Sequence, residues 1–511
     1  MSIPPAVRRF INPALLTMVV LSALYLVTMV YAIGETLLAG TILLIAALAL
    51  WIYTSQRLYA YRYLFPGIAA ALIFVVFPMF YTVVIGFTNY SSTNLLEFRR
   101  ATNYLLEETY RAEGPTYNFT LHPDGNKFRI RLEDSETGSE FHTGPFALDP
   151  SHPAELKAES AKVAPFEPGE PISLKDVIAH QQSLKHLTIV MPDGAKERMT
   201  GLREFAPSHA LYTPKPDGAL VNNEKGGTIK PNFKTGFYET ADGETVQPGF
   251  HVQIGWDNYK RILTDTALRE PFWRIFLWTL MFSGLSVFFT ISLGMVLAVL
   301  LNWDALKFRS VYRLLLFLPY AIPGFISILV FKGLFNNNSG EINLILSSLF
   351  GIKPTWFSDP ALARSMLLIV NTWLGFPYMM IICMGLIKAI PADLYEASAV
   401  AGAGPITNFF RITVPLIRRP LTPLLISSFA FNFNNFVLIK LLTDGRPDFL
   451  NTSVPAGTTD ILVSYTYRMA FQDHGQEFGL AAAISTLIFL VVAAISLIQI
   501  RTTKIAQDDK R

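Results

Sequence analysis

Residues 391–415 read PADLYEASAVAGAGPITNFFRITVP, and their surroundings decide the architecture. Asp393 can cap a short helix, with Glu396 three residues on. Gly402 and Gly404 can end that helix, and Pro405 suits the first turn of a second one. Apolar runs flank the segment at 366–388 and 420–442, each long enough to cross a hydrocarbon core about 30 Å thick. Two short helices strung between two spans predict a surface loop of a polytopic membrane protein.

Further runs of spanning length lie at 14–33, 36–54, 64–88, 272–301, 311–335 and 478–500, giving eight spans. The first follows Arg8 and Arg9 but is too long for a secretory h-region, so it reads as an uncleaved helix. Overall, 51% of the residues are hydrophobic and 16% charged, against roughly a quarter charged in a soluble chain. The charge is unevenly spread. Residues 93–271 hold about 26 of the 39 acids and about 20 of the 42 bases. The apolar remainder is therefore basic, which excludes a uniform soluble protein, a disordered chain and a nucleic-acid binder. Arg8, Arg9, Arg57, Arg62, Lys307, Arg309, Arg313, Lys388, Arg411, Arg418, Arg419, Arg501, Lys504, Lys510 and Arg511 fall on one side. By the positive-inside rule that side, with both termini, is cytoplasmic. Residues 93–271 then lie outside, in the periplasm of a bacterial cell.

That outer segment has the size of one domain. Pro-Asp-Gly occurs at 123–125, 192–194 and 216–218 beside alternating segments such as Tyr117, Phe119, Leu121 and Phe128, Ile130, Leu132. Pro presets φ and Gly accepts a positive φ, so each reads as a hairpin turn. Helical periodicity at 94–112 and 173–185, the latter opened by Ser173 and Asp176, makes the domain α+β. Seven of the eight histidines lie here without helical metal-ligand spacing, and the lone Cys383 forms no cysteine site; no metal or cofactor is expected. The fold expected is a membrane all-α bundle of eight helices with an inserted α+β periplasmic domain. Its parts are 1–92 (three helices), 93–271, and 272–505 (five helices).

The chain contains no G-x-x-x-x-G-K-[S/T] phosphate loop, so it has no ATPase site of that kind. Asp and Glu are almost absent from span interiors, which argues against ion coupling. Three late spans instead carry polar stripes. Tyr320, Gly324 and Ser327 recur at i, i+4, i+7; Asn371, Gly375 and Tyr378 repeat that spacing; Ser428, Phe431, Asn432 and Asn435 form a third. Pro319, Pro323 and Pro377 would kink the helices nearby. Small residues and Asn also serve helix packing. Together, however, the stripes suit an uncharged sugar, aromatic faces stacking on its C–H surface and amides meeting its hydroxyls. Two rival readings are a membrane glycosyltransferase and a sensor. The first would want metal-binding or basic acids on an outer loop, where Asp444 and Asp448 flank only a turn-like Gly445-Arg446-Pro447. The second would need a cytoplasmic output domain.

The segment 391–415 resembles the cytoplasmic EAA loop of type I ABC importer permeases. FTNYSSTN at 87–94, WFSDP at 356–360, NTWLGFPYMM at 371–380 and FAFNFNNFVLI at 429–439 are similar to the maltose permease family of that class, over essentially the whole chain. The resemblance implies a binding-protein-dependent, ATP-driven importer of maltose and maltodextrins, with another neutral sugar as the alternative. It also implies four kinds of partner besides the lipid: a smaller permease subunit, two copies of an ATPase, a periplasmic maltose-binding protein and the sugar. Carried over by position, the sugar would meet Tyr320, Gly324, Asn371, Leu374, Gly375, Tyr378, Ser428, Phe431, Asn432 and Asn435. The ATPase would meet Glu396, Ala397, Ser398, Gly402 and Pro415.

Overall fold

The computed structural model describes residues 5–148, 154–162, 169–303, 305–450, 452, 454–472 and 476–508. Of the basic residues read as cytoplasmic, Lys510 and Arg511 lie outside the described residues, as do the side chains of Arg8, Arg9 and Lys504. The chain divides into a membrane unit, Met1–Ser92 with Gln253–Arg511, and an inserted unit, Thr93–Val252. The insert thus ends before the expected 271. The amphipathic helix Asp257–Thr264 packs Ile262 into the membrane unit's core, beside Leu268 and Phe272.

In the membrane unit, helices cover all eight apolar runs: Pro5–Ala32, Thr36–Thr54, Tyr61–Ile85, Thr266–Asn302, Arg309–Leu334, Pro360–Lys388, Pro405–Leu442 and Phe478–Asp508. Among the described residues five of these helices, or seven with each bent pair counted as one, are long and apolar enough to cross a membrane, and the first is shorter over its described apolar part, Leu16–Ala32; we number all eight as spans one to eight. The fifth and seventh are broken. Span five is Arg309–Ala321 and Gly324–Leu334, meeting at 91°. Ile322 takes an extended ψ of 133°, the conformation that a following proline, Pro323, favours. Tyr320 therefore does not share a helix face with Gly324 and Ser327, contrary to the straight-helix reading. Span seven bends by 43° between Phe433 and Phe436. Spans four and six supply Trp278, Phe282, Met366, Leu367 and Val370 to one buried cluster, which Leu438, Ile439 and Leu442 of span seven complete. Most of the large apolar side chains of spans one to three face outward, as suits lipid.

The inserted unit is built as two sheets. The strands of the first are β1 (Thr109–Arg111), β2 (Tyr117–Asp124), β3 (Lys127–Asp134), β4 (Glu140–Thr143), β5 (Ala154–Ser160), β6 (Leu187–Val190), β7 (Lys196–Gly201) and β8 (Glu204–Ala210). Their order is β1-β8-β2-β3-β4-β5-β6-β7, and β7 pairs back onto β8. Phe205 of β8 faces Tyr117 on one side and Met199 on the other. The ring β8-β2-β3-β4-β5-β6-β7 therefore closes as a barrel, which leaves it no open edge. Its interior holds Tyr117, Phe119, Leu121, Ile130, Leu132, Ile189 and Phe205, the residues of one parity on each strand. A second sheet, β9 (Tyr212–Pro214) to β13 (Thr245–Val246), packs Tyr212, Leu220, Ile229 and Tyr238 against Leu105 of helix Phe98–Glu107. Hairpins turn at all three Pro-Asp-Gly segments, with Gly125, Gly194 and Gly218 at positive φ, but in the first Pro123 and Asp124 pair within the strand and the turn itself is Gly125-Asn126. Ser173 caps the helix Leu174–Ala179 through the Asp176 N–H, as its sequence implied.

Glu197 points into the barrel. It is fully buried, and neither carboxylate oxygen has a hydrogen-bond partner. Burial first, and the charge of Asp193 second, push its carboxyl up to about 7. An unfolded Glu titrates near about 4.3, so the folded unit holds the proton more tightly. The stabilising effect of that proton is intact at pH 4 and is lost as pH rises through 7. Glu197→Gln cannot ionise. It should therefore raise the melting temperature of this unit at pH 8 and change it little at pH 4, as circular dichroism at both pH values would show. An equal shift at both would contradict the assignment.

Candidate functional site

Span six carries Asn371 at mid-helix, and span seven ends its first segment at Phe433 with Asn432 one residue before. Both asparagines are almost wholly buried, at 6% and 5% exposure. Asn371 Nδ2 donates to Asn432 Oδ1 at 2.7 Å, Asn432 Nδ2 to the Ser428 carbonyl at 2.8 Å, and Asn435 Nδ2 to Asn371 Oδ1 at 3.2 Å. Asn435 also accepts from the Leu438 N–H and so caps the second segment of span seven. The break in span seven is thus where its amides turn to bond span six. Buried amides must be satisfied, and here they satisfy one another across two helices.

The remaining positions separate into two groups. Leu374 packs against the Trp278–Val370 cluster, and Gly375 lies so close to span four that a Cβ there would stand 2.8 Å from Thr290 Cγ2. The aromatic members are open instead: Tyr320 is 56% exposed, Tyr378 46% and Phe431 71%. Gly324 begins the second half of span five, beyond the bend, and Tyr320 stacks on Phe317 at 5.2 Å. The hydrogen bonds join Asn371, Ser428, Asn432 and Asn435; Tyr320 and Gly324 are not bonded to that cluster. What the arrangement offers chemically is a fixed, uncharged set of amides with open aromatic rings on the same helices.

Within 391–415 the first expected helix is Ala392–Val400, while the second, from Pro405, is not a separate short helix but the first turn of span seven. Pro405 occupies the first position of that turn. The first helix begins differently from its sequence reading. Pro391 is its N-cap residue, and Asp393 lies inside the first turn without capping it. Asp393 acts there through its charge at the positive end of the helix dipole. At the other end, Gly402 has φ +77°. Its N–H bonds to the Ala399 carbonyl, while the Ala403 N–H reaches back to Ser398, the bond pattern of a Schellman stop. Glu396, Ala397, Gly402 and Pro415 are exposed, and Ser398 is half-buried.

One polar site has no counterpart in the sequence reading. Between spans seven and eight, Asp460 is fully buried and accepts from Arg468 Nη1 at 2.8 Å, Ser464 Oγ at 2.7 Å and the Gly457 N–H at 2.8 Å. Arg468 Nη2 also holds Asp448 at 2.7 Å, and Asp444 pairs with Lys440. The acids of the turn-like stretch are thus engaged in ion pairs. The available signal was Arg468 inside an otherwise apolar segment, since a buried cation needs a partner.

Comparison with known proteins places this geometry. Residues 290–503 match the family described as binding-protein-dependent transport system inner membrane component. The chain is therefore a permease of the ABC importer class, and its helical region has the type I fold. Residues 96–255 match the "Maltose transport system permease protein MalF P2 domain", and residues 10–57 the "MalF, N-terminal region, transmembrane helices". The maltose/maltodextrin transport system permease protein MalF of Escherichia coli (strain K12) is 52% identical over 491 residues, 95% of each chain. Its counterpart in Yersinia pestis is 52% identical over 492 residues, 95% of this chain and 92% of its own. This chain belongs to the MalF permease family. A bacterial ABC transporter that imports alginate, solved as a crystal structure, is more distant, with TM-score 0.42 and 22% identity over 50% of this chain and 85% of its own. Membership makes the chain an inner-membrane transport component of an importer with a permease partner and a binding protein. ATP hydrolysis belongs to a separate subunit.

Proposed function

We propose that this chain is the larger permease subunit of an ATP-driven importer of maltose and maltodextrins. The observation that carries the reading is 52% identity to such permeases along 95% of the chain. The partners would be a smaller MalG-like permease, two copies of a MalK-like ATPase and a periplasmic maltose-binding protein. Solute would pass along spans five to seven, at the positions Tyr320, Gly324, Asn371, Leu374, Gly375, Tyr378, Ser428, Phe431, Asn432 and Asn435. The ATPase would dock on the exposed Glu396, Ala397, Gly402 and Pro415; Ser398, expected with them, is half-buried and bonds Asn408 instead. The three-part organisation proposed is a three-helix N-terminal region, a periplasmic insert and a five-helix permease domain. Exposed Arg411, Arg418 and Arg419 beside the loop support a cytoplasmic loop and cytoplasmic termini.

Uptake by the complete complex in vesicles, with the binding protein and labelled maltose, tests the substrate. Maltose and short maltodextrins should accumulate with ATP, and an anionic oligosaccharide should not. Accumulation of the anionic sugar in preference to maltose would overturn the reading. A second expected result concerns the insert. Replacing 95–251 by a short linker should leave the spans inserted, because helices satisfy their own backbone groups in lipid. The ATPase should stay bound, while binding-protein association and uptake fall at least tenfold. Normal stimulation of ATP hydrolysis by loaded binding protein would refute docking through this unit.

A further inference from the structure

Along helix Ala392–Val400 every side chain is exposed except two, Tyr395 and Ser398. They lie three residues apart and so on one face. Each meets the root of span seven through a hydroxyl. Ser398 Oγ donates to Asn408 Oδ1, and Tyr395 Oη lies 2.9 Å from Thr413 Oγ1. Thr413 is buried and gives its own hydroxyl proton to the Asn408 carbonyl at 3.3 Å. A hydroxyl has one proton to donate, so in the Tyr395–Thr413 bond the tyrosine is the donor.

The receiving segment, Phe409–Thr413, is a π turn, a form common at functional sites. From it the helix Val414–Phe433 runs to Asn432, where span seven bonds Asn371 of span six. One helix thus has its inner end tied to the loop by hydroxyls and its outer end tied to span six by amides.

We propose that Tyr395 and Ser398 are positioning residues. They clasp the loop helix to span seven through Thr413 and Asn408, so that displacement of the helix moves span seven. The inference rests on the loop being the ATPase-docking element. The exposed side chains would then bind the ATPase, and the two hydroxyls would transmit its movement. Hydrogen bonds suit this task because they fix direction as well as distance.

The test uses the full complex in vesicles and reads ATP hydrolysed per solute taken up. The double variant Tyr395→Phe with Ser398→Ala deletes only two hydroxyls. It should retain the ATPase at the parent level, while ATP consumed per solute rises at least threefold. Thr413→Val should also raise that ratio, and Thr413→Ser, which keeps the hydroxyl, should restore it. A parent ratio in the double variant would overturn the clasp, as would a Thr413→Ser variant behaving like Thr413→Val. Loss of the ATPase from the double variant would overturn it too, since the hydroxyls would then belong to the docking surface. Glu396→Lys separates the two readings. If it leaves both ATPase retention and uptake at parent level, the docking reading itself fails. If it disrupts either while the double variant is parent-like, the clasp alone fails.

Discussion

Gly402→Val is expected to uncouple ATP hydrolysis from uptake or to release the ATPase, with uptake lost in either case. The glycine stops the loop helix at φ +77°, and a Cβ built there meets nothing within 4 Å. The fault is therefore in the backbone and not a clash. A left-handed conformation costs a residue with Cβ roughly 1–2 kcal/mol, and branching at Cβ adds to that. The cheaper outcome for the chain is to abandon the stop. That would lose the Ala403-to-Ser398 bond and swing the helix that begins at Pro405. Glu396→Lys should produce a comparable loss by a different route. Glu396 lies beyond the first turn, where the dipole is weak, and is exposed. Its reversal therefore acts on whatever charge the partner presents and leaves the helix formed. Co-purification with the ATPase and vesicle uptake, beside the parent, check both. Parent-level retention and uptake in both variants would mean that the loop is not the coupling element.

Asn371→Leu and Asn432→Leu should each reduce maltose uptake at least tenfold. Because Asn371 Nδ2 donates to Asn432 Oδ1 at 2.7 Å while both are buried, replacing Asn371 strands Asn432 Oδ1 and replacing Asn432 strands Asn371 Nδ2, at a cost of about 1–3 kcal/mol. The same energy, if lost from a bond to a desolvated sugar hydroxyl, is about ten- to a hundredfold in affinity. Comparing singles with the double separates packing from transport. The double variant leaves neither amide stranded against the other, so its membrane expression should recover relative to the singles. Its uptake should stay lost. Recovery of uptake in the double variant would show that these asparagines serve only to hold spans six and seven together.

The long apolar helices were legible because a hydrocarbon core demands long apolar runs. Hairpins at Gly125, Gly194 and Gly218 were legible because their turn chemistry is local. Barrel closure was not. It depends on β5 lying parallel to β6 and on β8 pairing with both β2 and β7, and no short-range signal encodes a parallel or ring-closing partner. Pro323 marked a kink, but neither its 91° size nor the separation of Tyr320 from Gly324 could be read from spacing. Among the proposed solute residues, the stripe of Ser428, Asn432 and Asn435 follows from helical periodicity. Its bond to Asn371 crosses 61 positions in sequence and belongs to tertiary packing. Asp460 and Arg468 escaped notice because a buried ion pair has no fixed spacing.

The central claim is that this chain moves solute with energy from a separate ATPase, delivered through the loop 391–415. The direct measurement is solute accumulation in sealed vesicles, with ATP inside and loaded binding protein outside. It should be made for the full complex, for the permease pair alone, and for the complex with Gly402→Val. The account predicts accumulation against a gradient in the full complex and none in the other two. Accumulation by the permease pair without the ATPase, or at parent level in the Gly402→Val complex, would contradict it.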